Sequence, residues 1–223
     1  MQARDRLIAS AVDLIRRNGV AGTGLALLLE VSGTARRSLY LNFPGGKAEL
    51  IADATATAGK VTAAAIDRLA GEGDPATVIR RFVAGWAEAL RASEFTAGCP
   101  IVAAALGRSE AAAAADTAGT VFIDWERRLT GHLEAARLSP DDAAELATMT
   151  VAAVEGAIVM CQATKSDEPL RRVEAGLVEL FRLKTRAPVP DRDIAVVAAK
   201  VECSSRKPQS RDSVRRSGSD PAP

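Results

Sequence analysis

The chain predicts an all-α fold, with a three-helix head carrying a helix-turn-helix and a larger helical body. Three observations carry that prediction. Of its 223 residues 48% are hydrophobic and only 4% aromatic, with alanine dominating; such a composition favours close-packed helices over sheets. Apolar residues recur every three or four positions along most of the chain, the period of a helix with one buried face. Glycine, proline, asparagine and serine fall between these runs, where turns are needed.

The elements follow in order. Leu7, Ile8, Ala11, Val12, Leu14 and Ile15 make the first apolar stripe, and Asn18-Gly19 ends it with residues that tolerate a left-handed cap. Thr23 is expected to cap a second helix, Leu25 to Val31, because its hydroxyl can accept from a free N–H of the first turn. Gly33 marks a tight turn, and a third helix starts near Ala35. Helix, short glycine turn and helix form a helix-turn-helix, here about residues 24–43. Lys47 opens a longer helix to about Leu69, and Gly71-Glu72-Gly73-Asp74-Pro75 breaks it. An amphipathic helix with Val78, Ile79, Phe82, Val83, Trp86 and Leu90 on one face is expected to run up to Gly98-Cys99-Pro100. An alanine-rich helix is expected from Ile101 through Ala115, and Phe122, Trp125, Leu129 and Leu133 mark the next. Ser139-Pro140-Asp141-Asp142 reads as a helix start, with a cap, a first-turn proline and two acids at the positive dipole end. That helix runs to about Ala163, and the last core helix spans Leu170 to about Lys184. Asp191 to Cys203 forms one more candidate helix, and Ser204 to Pro223 is rich in Ser, Arg and Pro and is expected to be disordered. The resulting organisation is a head over 1–47, a body over 48–186 and a tail over 187–223.

Charge is distributed in the same blocks. The formal net charge is +1, divided as +3 over 1–60, −4 over 61–186 and +2 over 187–223. A basic head on an acidic body fits a head that meets nucleic acid. Cys99, Cys161 and Cys203 are odd in number and far apart, which is no disulfide framework. No metal-ligand spacing occurs, and His132 is the only histidine, so neither metal nor cofactor is expected. One histidine without a nucleophile motif leaves little for an enzyme to use. Gly45-Gly46-Lys47 is followed by Ala48 and lacks the upstream glycine of a phosphate loop. The start of the chain has no signal-peptide apolar region, and the run Ala147 to Ala163 is interrupted by Glu155 and threonines. A cytoplasmic protein without a membrane span is the expectation.

The stretch Ala35-Arg36-Arg37-Ser38-Leu39-Tyr40-Leu41-Asn42-Phe43-Pro44-Gly45-Gly46-Lys47 carries the most information. A helix this short cannot persist alone in water. Leu39 and Phe43 share one face, which should be buried. Arg36, Arg37 and Tyr40 share another by the i, i+3 and i, i+4 rule. Arginine pairs bidentately with guanine, whereas Tyr, Asn and Lys more often fix a protein on phosphates.

That stretch resembles the DNA-binding head of TetR-family transcriptional regulators, whose pattern is S-L-Y-x-H-F followed by a lysine at the next helix. The body segments Gly98-Cys99-Pro100-Ile101, the Trp125 helix and Ala152-Ala153-Val154-Glu155-Gly156-Ala157 are similar to the LmrA/YxaF-like C-terminal domain of that family. Together the likeness covers about residues 3 to 186. This chain departs by having Arg37 where glycine is frequent, Ala35 where Ser or Thr is frequent, and Asn42 in place of the histidine. The resemblance implies a regulator, usually a repressor, released from a palindromic DNA operator by a small-molecule effector. Thr23, Ala35, Arg36, Arg37, Ser38, Tyr40, Asn42 and Lys47 would form its DNA surface. Phe82, Trp86, Cys99, Phe122, Trp125, His132 and Glu155 are the candidates to ring an effector pocket. Glu155 stands out, because a carboxylate in an apolar helix is costly unless it is paired. Small residues at Ala152, Ala153, Gly156 and Ala157 would let this helix and the last one form a homodimer face. A dimer sets two recognition helices about one DNA turn (~34 Å) or a multiple apart. The alternative is a helical small-molecule-binding module that does not read DNA.

Overall fold

The structure, a computed structural model, describes residues 2–185, and among these there are nine helices and no strand. The expected tail helix and the Ser/Arg/Pro-rich segment lie outside the described residues.

The head is built from α1 (Ala3–Asn18), α2 (Leu25–Ser32) and α3 (Arg36–Asn42). The α1 stripe of Leu7, Ala11, Leu14 and Ile15 is buried as its spacing requires. Gly33 ends α2 in the left-handed conformation, φ 59°, and so makes the sharp turn between the two helices of the motif. Thr23 does not cap α2. It is fully buried and its hydroxyl donates to the Gly19 carbonyl at 2.7 Å, bracing the loop, while Gly24 occupies the cap position.

The body comprises α4 (Gly46–Ala70), α5 (Pro75–Ala92), α6 (Pro100–Leu106), α7 (Ala112–Ala135), α8 (Pro140–Thr164) and α9 (Glu168–Thr185). Asp74 caps α5, accepting from the N–H groups of Ala76 and Thr77 and from the Thr77 hydroxyl. Those bonds hold its carboxyl below the ordinary range. Ser139 caps α8 through the Asp142 N–H at 3.2 Å, as its sequence setting predicts.

Two boundaries differ from expectation. Helix α5 stops at Ala92, short of Gly98, because Glu94 and Phe95 adopt positive φ and the Phe95 N–H returns to the Leu90 carbonyl. The alanine-rich stretch is two helices, since Gly107 ends α6 and the Ala111 N–H closes a turn onto the Gly107 carbonyl. Uninterrupted alanine carries no signal for such a break, whereas Gly107 does.

Two buried clusters organise the packing. One joins α1 to α4 with α6 and α7, running from Leu7 and Phe43 through Ile51 and Ala54 to Ile101 and Trp125. The other joins α5, α7, α8 and α9 around Val83, Leu146, Ile158, Leu170 and Phe181. Helix α4 crosses residue 47 without a break, so head and body share the first cluster. At its middle α7 presses against it: the Trp125 indole N–H donates to the Gly59 carbonyl at 3.1 Å. A Cβ on Gly59 would lie 2.5 Å from a Val121 methyl, so only glycine permits this approach. Among the described residues α8 is the one helix long and apolar enough to cross a membrane, and 39% of its most apolar stretch is buried in the fold.

Candidate nucleic-acid interface and internal cavity

Helix α3 is held from below. Leu39 and Phe43 are fully buried, Arg4 of α1 lies 5.2 Å over the Phe43 ring, and Arg4 is tied to Asp53 of α4 at 2.5 Å. Burying Leu39 on this seven-residue helix and Phe43 at its C-cap replaces the stability that its length cannot supply. The opposite face is open. Arg36 and Arg37 are exposed, and neither meets a carboxylate or hydrogen-bond acceptor among the described residues. Elsewhere on the surface arginine is mostly paired, as in Arg81 with Glu72, Arg91 with Asp167 and Arg128 with Asp67 and Asp124.

The remaining predicted residues divide. Ala35 is exposed and sits at the cap of α3. Ser38 is half-buried. Tyr40 is 44% exposed and its ring covers Gly46, where a Cβ would come within 3.1 Å of Cε1. Gly46 also has φ +68°, so turn geometry and ring contact both require glycine at the start of α4. Asn42 spends one amide hydrogen on the Ser38 carbonyl at 2.8 Å. Lys47 is half-buried and reaches the Val20 carbonyl at 3.4 Å. Thr23, sealed inside, offers no side chain to a partner. Leu41 is 72% exposed and lies one turn from Arg37. Its i+4 relation to Arg37 is the signal in the sequence that places it on this face.

The body contains a cavity of about 520 Å³. Its walls come from the end of α4 (Ile66, Leu69, Ala70), from α5 (Val78, Ile79, Phe82), from α7 (Trp125, Leu129, His132) and from α8 (Thr150, Val154, Glu155). Phe181 of α9 completes it. Four of the seven predicted pocket residues therefore meet here: Phe82, Trp125, His132 and Glu155. The other three do not line it. Phe122 stacks edge-on against Trp125 at 5.6 Å from outside the wall. Trp86 faces a surface groove shared with α1, and Cys99 lines a separate groove between α1, α6 and α8. Large or polarisable side chains suit a pocket wall, but residue type does not specify which way a helix turns.

The cavity chemistry is unbalanced. His132 Nε2 sits 3.0 Å from Asp67 Oδ1 at the rim. Glu155 Oε2 and Thr150 Oγ1 are both closed off from solvent and have no hydrogen-bond partner. Burial pushes the Glu155 carboxyl up to about 7, opposed by a hydrogen bond with the neighbouring Cys99 thiol. The Cys99 thiol itself is raised well above its usual value by burial and by that carboxylate. For Thr150 the sequence offers one signal, a hydroxyl in an apolar run near Glu155. No grouping of His, Cys, Asp and Glu fit to hold a metal occurs among the described residues.

Comparison with known proteins agrees with this architecture. Residues 75–176 match a family profile described as the transcriptional regulator LmrA/YxaF-like C-terminal domain. The chain is 31% identical over 184 residues to an uncharacterized HTH-type transcriptional regulator of Mycobacterium tuberculosis, covering 80% of this chain and 93% of the relative. It is 25% identical over 182 residues to the HTH-type transcriptional regulator LmrA of Bacillus subtilis, covering 81% and 97%. Among solved structures, regulatory protein TetR from Rhodobacter sphaeroides superposes with a TM-score of 0.73 at 21% identity, covering 80% of this chain and 98% of that one. The fold, the helix-turn-helix and these relatives place the chain in the TetR family of transcriptional regulators, with a C-terminal domain of the LmrA/YxaF type.

Proposed function

We propose that the protein is a homodimeric, cytoplasmic repressor that grips a palindromic operator through α3 and lets go when a small molecule fills the body cavity. In this division of labour residues 1–47 read DNA and residues 48–186 bind the effector and the second copy. The observation that carries the reading is the open face of α3: two arginines without partners beside a half-exposed tyrosine, on a helix anchored by buried Leu39 and Phe43. In the major groove Arg36 and Arg37 reach base edges, while Tyr40, Asn42 and Lys47 set the register on phosphates.

The dimer reading is supported by α8 and α9. Met149, Val159 and Met160 on α8 and Leu183 on α9 are each about half exposed. Between them stand exposed Ala152, Gly156, Ala175 and Gly176, which allow a second copy to approach closely. The release reading is supported by α4. This 25-residue helix is about 37 Å long at ~1.5 Å per residue. Its first turn touches α3 through Gly46 and Tyr40, its middle takes the Trp125 hydrogen bond, and its last turn lines the cavity. A ligand that displaces Trp125 or the α4 end favours one position of α4 over another, and only such differential binding moves the heads.

A gel-shift of the protein on the DNA upstream of its own gene tests the reading. Retardation that survives nonspecific competitor and weakens steeply with salt is expected. Absence of a salt-sensitive specific complex would favour a ligand-binding module that does not read DNA.

A further inference from the structure

The proposed cavity leaves open which chemistry fills it, and its wall narrows the choice. Among the described residues no lysine or arginine lines it. Its titratable groups are Asp74, His132 and Glu155. Asp74 is committed to capping α5, and His132 is engaged by Asp67 across the α4–α7 seam. The Cys99 thiol, at the cap of α6, approaches Glu155, and the α9 contributions, Phe181 and Thr185, carry no charge. That leaves Glu155 Oε2 and Thr150 Oγ1, two covered and unsatisfied atoms on residues of a wall that also holds the Phe82 and Trp125 rings, which a guest meets once those side chains rotate toward the cavity.

Orphaned buried polar groups cost free energy unless something supplies their partners. A neutral apolar guest leaves both atoms unpaired. An anionic guest adds a like charge with no cation to meet it. A protonated amine on an apolar body gives Glu155 a charge-assisted hydrogen bond and Thr150 a donor, and it lies against aromatic rings that attract cations. We infer that the effector is a lipophilic organic cation, an amine protonated at neutral pH, whose ammonium group is received by Glu155 and Thr150. The inference rests on the cavity being the effector site.

Protonation gives it a signature. Burial holds Glu155 near neutrality, with its carboxyl at about 7, so below that pH a cation must first ionise it. An alkylamine stays charged throughout, since its pKa lies near ~10. Affinity for the amine therefore rises about tenfold from pH 6 to pH 8, and binding near pH 6 releases a proton to buffer.

The test is calorimetric titration of the full chain with three chain-matched probes, decylamine, decanol and decanoate, at pH 6, 7 and 8, repeated on Glu155→Gln. Decylamine is expected to bind at least tenfold tighter than decanol at pH 8, with decanoate weakest. The preference and its pH dependence should vanish in Glu155→Gln while decanol binding persists. Decanol or decanoate binding as tightly as the amine, or an amine preference that survives Glu155→Gln, overturns the cation inference and leaves the effector cavity standing. Failure of all three probes to bind removes the cavity reading itself, and the inference with it.

Discussion

Helix α3 and the body cavity both present polar groups without partners, yet on opposite sides of the protein surface. On α3 the free groups are cations held in water: Arg36 and Arg37 cost nothing there and wait for an anionic partner. In the cavity wall they are one oxygen of Glu155 and the Thr150 hydroxyl, closed off from water, where lack of a partner is destabilising. On the proposed roles, a DNA-reading face is built on rigid support with no penalty, whereas an effector site stores an unfavourable environment that its ligand relieves. Stability should respond accordingly: insensitive to the exposed face of α3, sensitive to its buried face and to the cavity carboxylate.

The largest expected effect breaks the support under α3. Phe43→Ala removes a fully buried ring and should lower unfolding free energy by about 3–5 kcal/mol. Denaturant unfolding would register the loss, and DNA affinity should fall with it.

The next concerns the cavity, and its sign is opposite to that of most carboxylates. Burial raises the folded-state pKa of Glu155 from its ordinary 4.5 to about 7, so the unfolded chain ionises first as pH rises. Stability should therefore decline from about pH 4.5 to pH 7, by about 3 kcal/mol in order of magnitude. Glu155→Gln should flatten that decline and be the more stable protein at pH 8. Thermal melts of both proteins across pH 5 to 8 check this; parallel curves would mean that Glu155 is already paired or solvated.

Arg37→Ala sharpens the comparison from the other side. The melting temperature should stay put, because the side chain is exposed and unpaired. Discrimination at one base pair should fall by about 1–3 kcal/mol, whereas Lys47→Ala should weaken all sequences alike and flatten the salt slope by about 1. Titrating matched and mismatched duplexes over a salt series separates the two roles.

The smallest effect is at Gly46. Gly46→Ala forces a Cβ into φ +68° and toward the Tyr40 ring. A stability loss of about 1 kcal/mol is expected, with weaker DNA affinity and an unchanged order of base preferences, measurable by the same duplex titrations.

Much of this was legible because it is local. Arg36 to Lys47 is one continuous stretch, and helical spacing alone separates buried Leu39 and Phe43 from exposed Arg36, Arg37 and Tyr40. Local reading failed where a side chain had two uses: Thr23 suits a helix cap, yet a carbonyl four residues earlier claims its hydroxyl. The cavity was half legible. Its wall comes from five helices separated by up to a hundred residues, and which side of α5 or α7 faces it depends on packing angles that periodicity does not encode. Phe82 and Trp125 line it, whereas Trp86, one turn along α5, turns toward α1. Glu155 could be singled out because a charge in an apolar run is conspicuous. Thr150 could not, because threonine in a helix is ordinarily satisfied by a backbone carbonyl.

The most direct test of the account is a fluorescence anisotropy titration on a fragment selected by the protein from genomic DNA, comparing wild type with the Arg36→Ala/Arg37→Ala variant. A saturable, salt-sensitive complex of two chains per site is expected in the wild type. The variant should melt at the wild-type temperature yet no longer distinguish this fragment from random DNA. Equal specificity in the two proteins would rule this out, because the open face of α3 would then not be what reads the sequence.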